Sequence, residues 1–550
     1  MPTKNIIFLD IETDSLRPTE IHCCVTICQK GVVSIHTSKD SLEKLLVGDY
    51  KLCGHNIIGF DAPALRDVWG MDIPDEVLID TLVMSRLYHP DIEGGHSLDA
   101  WGTRLDFKKI EFHDYEKLSD EMIAYCIRDV EITKLLYDRL SDSLMAYSFS
   151  KQSIDLEHSV ACICRDQERN GFLFDKEKAV ELYEELTTRM IRMEKDLQSV
   201  FPPIVQERYS EKTGKRLKDS VTVFNVGSRQ QIAERLASKG AVWKELTPSG
   251  KPKVDESTLK KQTHIPEAKI ILRYLLCQKR ASQVDSWIQA VEEDGRIHGR
   301  VRHIGAVTGR MAHSNPNLAQ VPAVGAEYGV ECRALFIADD DKVLVGADAS
   351  GLELRMLAHY MNDEGYTNEL LNGDIHTANQ RAAGLESRPL AKTFIYAFLY
   401  GAGDAKIGSI VGGNSSVGRE LKNKFLSNTP SLERLRRDVS RQASSGFLIG
   451  LDGRQIRVRS EHAALNTLLQ GAGAVVMKQA IVILYDLLQD VEFKLVAQVH
   501  DEWQIECRPA DAGFIGKACV EAMVRAGQML GLNCPLDGEY RVGYSWATTH

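Results

Sequence analysis

Three short apolar runs in this chain end on carboxylates, and they limit its fold more than any other feature. Asn5-Ile6-Ile7-Phe8-Leu9 runs into Asp10, with Glu12 two positions on. Val343-Leu344-Val345-Gly346-Ala347 runs into Asp348, and Phe493 to Val499 runs into His500-Asp501-Glu502, after which Trp503-Gln504-Ile505 returns. Runs of this length and residue type read as buried strands. A buried strand must hydrogen-bond to neighbours, so each run implies a sheet, with acids gathered where its strands end. The 550 residues exceed one core, so roughly two to four domains are expected, in an α/β multidomain arrangement.

The rest of the pattern fills in around these strands. Residues 21–36 read as a strand pair about Lys30-Gly31, and 96–145 turn helical, the first domain closing near 148. Long helices over 155–200 break at Asn170-Gly171. Residues 201–222, with Pro202-Pro203 and a run of charges, read as a loop or small mobile tip. Helices return at 228–239 and 266–292. Short strands and turns cover 297–355, and 376–445 is mostly helical. A strand pair surrounds Asp452-Gly453, and a helix (462–489), a hairpin (493–508), a helix (511–531) and a short tail complete the chain.

A net charge of −10 does not speak against nucleic acid, because net charge says little when its sign is unevenly distributed and acids gather in metal sites. The twelve cysteines contain no C-x-x-C spacing, so reduced, mostly buried thiols are expected. The N-terminus lacks a signal-peptide pattern. No uninterrupted apolar run reaches spanning length; 472–488 is broken by Lys478, Gln479 and Asp486. A cytoplasmic protein, without a membrane partner, is the expectation.

In an extended strand Asp10 and Glu12 share a face, and a carboxylate pair there suits a hard cation. Asp61 closes His55-Asn56-Ile57-Ile58-Gly59-Phe60-Asp61, and Asp129 shares a helix face with Tyr125, four residues before it. Such a set can hold two metal ions about 3.5–4 Å apart, activating a water at a phosphodiester, with Tyr125 orienting it. A single surface acid is usually only solvated; the four-part series is stronger. It resembles the DEDD exonucleases, with motifs Asp10-Ile11-Glu12, Asn56 to Asp61, and Tyr125-Cys126-Ile127-Arg128-Asp129. The tyrosine marks the DEDDy branch. The resemblance implies an RNase H-like 3′→5′ exonuclease domain over 1–150, with Asp10, Glu12, Asp61 and Asp129 as metal ligands and Asp80 behind them.

Asp348 and Asp501, at strand ends far apart in sequence, can hold two magnesium ions between them. Arg388, Lys392, Tyr396 and Tyr400 stand four apart, close to one helix face. Two cations and two rings in one stripe would offer charge to a triphosphate and a face to a base. Alone the stripe would read as an amphipathic helix with snorkelling basic side chains. Pro389 suits a first turn, placing Arg388 at the helix start, where phosphate is also attracted.

These segments resemble family A DNA polymerases. Motif A reads Asp348-Ala349-Ser350-Gly351-Leu352-Glu353-Leu354-Arg355, motif B Arg388-x-x-x-Lys392-x-x-x-Tyr396-x-x-x-Tyr400-Gly401, and motif C Val499-His500-Asp501-Glu502. Thr308-Gly309-Arg310, Asn315 to Gln320, Gly373 to Thr377, Ala391 to Asp404 and Trp546 to His550 extend the likeness, the last two toward short-tailed phage replicases. The resemblance implies a right-hand polymerase over 151–550: thumb about 160–295, palm about 296–370 and 484–550, fingers about 371–483. It implies that Asp348, Asp501 and the Ala349 carbonyl hold Mg2+ (two ions per active site, Mn2+ substituting), with Glu502 in support. One ion would acidify the primer 3′-hydroxyl and the other neutralise the triphosphate. Lys392, Arg388 and His376 would hold that triphosphate, and Lys392 would protonate pyrophosphate. Tyr396 would stack on the nucleotide, with Tyr400 in the same stripe. Glu353 would exclude a 2′-hydroxyl, and Arg310 and Gln470 would read minor-groove acceptors.

The implied partners are primer–template DNA, dNTPs, a helicase-primase and a single-strand binding protein. Lys212, Lys215, Arg216 and Lys218 read either as contacts to duplex phosphates or as a solvated loop. The stretch 201–222 is short where some phage relatives carry a thioredoxin-binding insertion, so thioredoxin is not expected, nor is a 5′-nuclease domain before Asp10. A scaffold without chemistry would have lost an acid from motif A or C, and both remain. A reverse transcriptase would carry two adjacent aspartates after tyrosine in place of His500-Asp501-Glu502.

Overall fold

Strand β1 (Asn5–Thr13) is buried on both faces, and that double burial organises the N-terminal part of the computed structural model, which describes residues 5–550. Ile7, Leu9 and Ile11 pack into one core with Leu52, Ile57 and Leu65. Phe8 packs on the opposite side with Cys23, Val25, Cys126 and Val130. Alternation therefore turns Asp10 and Glu12 to the Phe8 side, where the long helix Asp120–Ala146 lies. β1 does not stop at Asp10 as its apolar run suggested; it continues through Glu12, paired with Cys23, to Thr13.

Around it stand β2 (Ile21–Cys28), β3 (Val33–His36), β4 (Tyr50–Gly54) and β5 (Leu78–Asp80), in the order β3-β2-β1-β4-β5. β1, β2 and β3 pair antiparallel, and β4 and β5 parallel. The helical pattern of 96–145 resolves into two helices, Leu98–Arg104 and Asp120–Ala146, with a non-helical segment between.

The helix Lys151–Asn170 joins the two halves and ends at Gly171, whose φ of +60° favours glycine. Alternate sides of this helix serve different neighbours. Glu157 is completely buried, bonded by Lys478 (2.7 and 2.8 Å), Arg454 (2.5 Å) and His303 (2.9 Å). The next residue, His158, accepts the Asp80 amide of the N-terminal sheet at 3.0 Å. Arg165 makes a two-pronged pair with Asp75 at 2.9 Å, and Asn170 donates to the Leu495 carbonyl at 3.0 Å.

Helices Lys176–Val200 and Pro266–Ala290 pack together, and a smaller core of Leu197, Phe201, Phe224 and Tyr274 closes their far end. Residues 201–222, read as a loop or small tip, contain an antiparallel ribbon, Ile204–Tyr209 with Arg216–Thr222. Charges alternate with Val205, Tyr209, Leu217 and Val221, which all stay exposed, so no hydrophobic periodicity marked it. Arg216 pairs there with Glu207 and Asp219.

The C-terminal sheet is antiparallel, in the order Phe493–Val499, Glu502–Cys507, Val343–Ala349, Gly538–Gly543. The last strand lies in what read as a tail; its half-exposed, glycine-bounded sequence lacks an apolar run. Helices Ala464–Leu487 and Ala512–Met529 pack together in the main core. The segment Glu461–Leu487 is long and apolar enough to cross a membrane, but 78% of its apolar window is buried inside the protein, as in a core helix. The cysteines are free thiols, nearly all buried, as expected.

Candidate active sites

At the N-terminal site β1 supplies Asp10 and Glu12. Asp61 opens the helix Asp61–Trp69, and the Ile11 amide donates to its Oδ1 at 3.2 Å, tying it to β1. Asp80 is buried and accepts the amides of Asn56 (2.9 Å), Ile58 (3.2 Å) and Leu82 (2.8 Å). It therefore holds the loop that presents Asp61 and caps the helix after β5. Asp129 and Tyr125 come from the Asp120–Ala146 helix, sharing a face as their spacing indicated. Asp10, Glu12 and the Cys126 thiol present atoms within 4.8 Å of one another. The thiol donates toward Asp10 Oδ2 at 3.7 Å.

Gathering these acids away from water is costly. Burial, then Asp61, Asp129 and Glu12, push the Asp10 carboxyl well up. Burial and Asp129 raise Glu12 to about 8, and burial raises Asp61 to about 7. Asp129 is raised by burial, although Lys109 and Tyr125 pull it back. Its Oδ1 is buried with no hydrogen-bond partner. Four oxygen-donor side chains raising one another's pKa values, one with an orphaned oxygen, fit hard divalent cations. Tyr125 stacks on Phe112 with ring centroids 5.4 Å apart, and its hydroxyl pKa is pushed up by burial.

Lys109 escaped sequence reading. Its ammonium lies 2.5 Å from Asp129 Oδ2 and 4.7 Å from the Tyr125 ring centroid. A lysine beside another lysine in a polar connection carries no spacing signal.

At the C-terminal site Asp348 stands opposite Glu502 in the sheet register, and the Ala349 amide donates to the Asp501 carbonyl at 3.0 Å. His500 at the hairpin tip has φ +57°, turning the chain so that Asp501 comes beside the motif A strand. Burial, then Asp501 and Glu502, raise Asp348 to about 7. Burial also raises Asp501. The same fit to hard cations holds here.

Glu502 differs from its neighbours. The Trp546 indole donates to it, His550 pairs with it at 2.9 Å, Gln504 donates at 2.8 Å, and Arg333 lies 3.3 Å away. Its pKa falls despite burial because His550 and Arg333 stabilise the charge. Arg333 also lies 4.6 Å over the Trp546 ring. Glu502 thus anchors the last five residues under the sheet, a role visible only when the termini of the fold meet.

The helix Arg388–Leu399 begins at Arg388, as expected. Ala391, Phe394, Ile395 and Phe398 are buried, leaving Arg388 and Lys392 exposed and Tyr396 half-buried on the opposite stripe. Tyr400 caps the helix, and its hydroxyl donates to Glu353, which also pairs with Arg310 at 3.4 Å. Tyr396 faces His376 at 6.3 Å between rings. Arg388 is held by Asp374 at 2.7 Å, and Gln470 donates to Asn466 at 2.9 Å. Arg310, Glu353, His500 and Asp501 line one cleft with Lys478 and Gln498.

This fold matches that of a solved structure described as the POL domain of Pol1 from M. smegmatis in complex with DNA primer-template and dNTP. The TM-score is 0.84 at 20% identity, covering 100% of this chain and 96% of that one. It is the right-hand polymerase fold. The profile of DNA polymerase family A matches residues 203–548. The DNA-directed DNA polymerase of Escherichia phage T7 is 35% identical over 99% of this chain and 100% of its own length, and that of Enterobacteria phage T3 is 34% identical over 98% and 99%. DNA polymerase I of Aquifex aeolicus is 25% identical over 98% and 95%. The chain belongs to DNA polymerase family A.

Proposed function

We propose that this family A polymerase extends a primer 3′ end on a DNA template at the Asp348–Asp501 site. Its first 150 residues form a separate 3′→5′ exonuclease that removes mispaired ends. The reading places a thumb at about 160–295, a palm at about 296–370 and 484–550, and fingers at about 371–483. The observation that carries it is the pair of buried acid clusters, each with raised pKa values, on two different sheets.

Asp348, Asp501 and the Ala349 carbonyl would hold divalent ions at one site, and Asp10, Glu12, Asp61 and Asp129 at the other. Bound there, magnesium, or manganese in its place, supplies acidification of the attacking hydroxyl or water and neutralises the phosphate charge. Arg388 and Lys392 bind the triphosphate of the incoming nucleotide, and His376 adds a donor. Lys392, exposed on a helix that carries no acid, delivers a proton to leaving pyrophosphate. Tyr396 stacks on the base. Tyr400 and Arg310 hold Glu353 where a ribose 2′-hydroxyl would fall. Arg310 and Gln470 test minor-groove acceptors of the new pair. At the other site Tyr125 orients the attacking water. Positioning and charge stabilisation supply most of the rate in phosphoryl transfer. The phage DNA-directed DNA polymerases among its relatives support a replication enzyme acting in a host cytoplasm; a helicase-primase and a single-strand binding protein are the partners such a role would call for.

A labelled primer–template with magnesium tests this, with and without the four dNTPs, using wild type and the Asp10→Ala, Glu12→Ala double variant. Both proteins are expected to lengthen the primer, and wild type alone to shorten it when dNTPs are absent. Shortening under every condition, with no lengthening by the double variant, would overturn the polymerase assignment.

A further inference from the structure

We propose that Lys109 is a built-in counter-ion of the N-terminal site, a positioning residue whose ammonium a divalent ion must displace from Asp129. This rests on the reading of Asp10, Glu12, Asp61 and Asp129 as that site's metal ligands. The lysine is 2.5 Å from Asp129 Oδ2, with side-chain exposures of 21% and 5% respectively. One oxygen of Asp129 is therefore occupied by the ammonium while the other has no partner. The Tyr125 ring lies 4.7 Å from the same ammonium, holding it by cation–π attraction. The neighbouring cation, Arg128, is directed elsewhere: it reaches the Lys108 carbonyl at 3.1 Å, Glu131 at 3.3 Å and the Phe107 ring at 4.1 Å. Lys109 is thus the cation aimed into the cluster among the described residues. Its charge also bears on Asp10 and Glu12, opposing the rise of both carboxyls.

An ammonium seated on a ligand oxygen has two effects. It relieves repulsion among the acids when no metal is bound, and it makes metal binding an exchange of one cation for another. The C-terminal site has no such resident: among the described residues neither Asp348 nor Asp501 is in an ion pair within 4.0 Å. Lys109 therefore raises the divalent-ion concentration at which the exonuclease site fills, and leaves the polymerase site untouched.

Manganese binding to the full-length chain, followed by the Mn2+ paramagnetic signal, tests this. An Asp348→Asn, Asp501→Asn background silences the other site. Lys109→Met is expected to tighten Mn2+ binding at least about fivefold, the factor a partly buried ion pair supports. Lys109→Arg, which keeps the charge, is expected to stay near wild type and guards against a folding defect in the first variant. The Mn2+ concentration for half-maximal shortening of single-stranded DNA should fall in parallel. If Lys109→Met binds Mn2+ as wild type does or more weakly, while Asp10→Ala abolishes binding, the counter-ion role is wrong and the metal site stands. If binding is insensitive to Asp10→Ala in every background, the metal-site reading itself fails.

Discussion

At the N-terminal site four acids converge from three elements around one ammonium; at the C-terminal site two aspartates meet across neighbouring strands, and the cations stand apart on a helix. Both arrangements raise carboxyl pKa values through burial and mutual repulsion. They differ in where compensating charge resides. Lys109 sits inside the first cluster. Arg388 and Lys392 remain exposed, Arg388 tied to Asp374. On the proposed reading, a site that cleaves a phosphodiester can carry a resident ammonium that gives way to metal, whereas a site that accepts a triphosphate gains by keeping cations on a separate element that meets the substrate as it arrives. Glu502 shows the third option, a buried carboxylate whose charge is satisfied by four partners.

The strongest way to break this comparison is to disable one site and watch the other. Asp501→Asn is expected to lower primer extension by roughly 10³-fold or more, since several kcal/mol of charge stabilisation are lost. Shortening of single-stranded DNA should be unchanged. Loss of both activities in a folded protein would mean one shared site. Asp10→Ala with Glu12→Ala should do the converse, removing shortening by a similar factor while extension persists; an extension defect beyond about twofold would show that the halves are not independent.

Glu502→Gln sharpens the distinction between reactive and anchoring acids. It leaves Arg333 and His550 without their buried partner, so denaturant unfolding should show a loss of about 2–3 kcal/mol. Asp501→Asn relieves repulsion and should not destabilise. Equal melting behaviour of the two variants would remove the anchoring role.

The smallest effect is in pH. Glu12 is raised from its ordinary value to about 8 by burial, so the folded state holds that proton more tightly than the unfolded chain. The associated stability is present at low pH and lost as pH rises through about 8. Relative to wild type, metal-free Glu12→Gln should therefore gain melting temperature between pH 6 and 8.5, by about 2 °C for a chain of this length. Saturating Mg2+ should remove the difference. A flat difference across that range would mean that Glu12 is not electrostatically stressed.

Much of this was legible because strand-end acids and a helix stripe of two cations and two rings leave local signatures. Asp10 and Glu12 sit on an alternating strand, Tyr125 and Asp129 on one helix turn, and Arg388 to Tyr400 at intervals of four. The Asn170-Gly171 break and the turns at Gly31 and Gly453 were visible because positive φ selects glycine. What stayed hidden has no local period. The Gly538–Gly543 strand is recognisable only by its pairing with Val343–Ala349. The exposed ribbon at 204–222 buries no face, so alternation had nothing to report. Lys109, Arg333 and the Glu157 cluster owe their positions to segments tens to hundreds of residues away, and no spacing within the sequence encodes such meetings.

The helix Lys151–Asn170 carries one more consequence. Glu157 and Asn170 fasten it to the C-terminal half, while His158 and Arg165 fasten it to the N-terminal half. A splint bonded on both sides along its length fixes the gap between the two acid clusters. A ligand that visited both clusters would then have to cross a constant span, because the frame that holds the clusters apart does not depend on a swing of its parts.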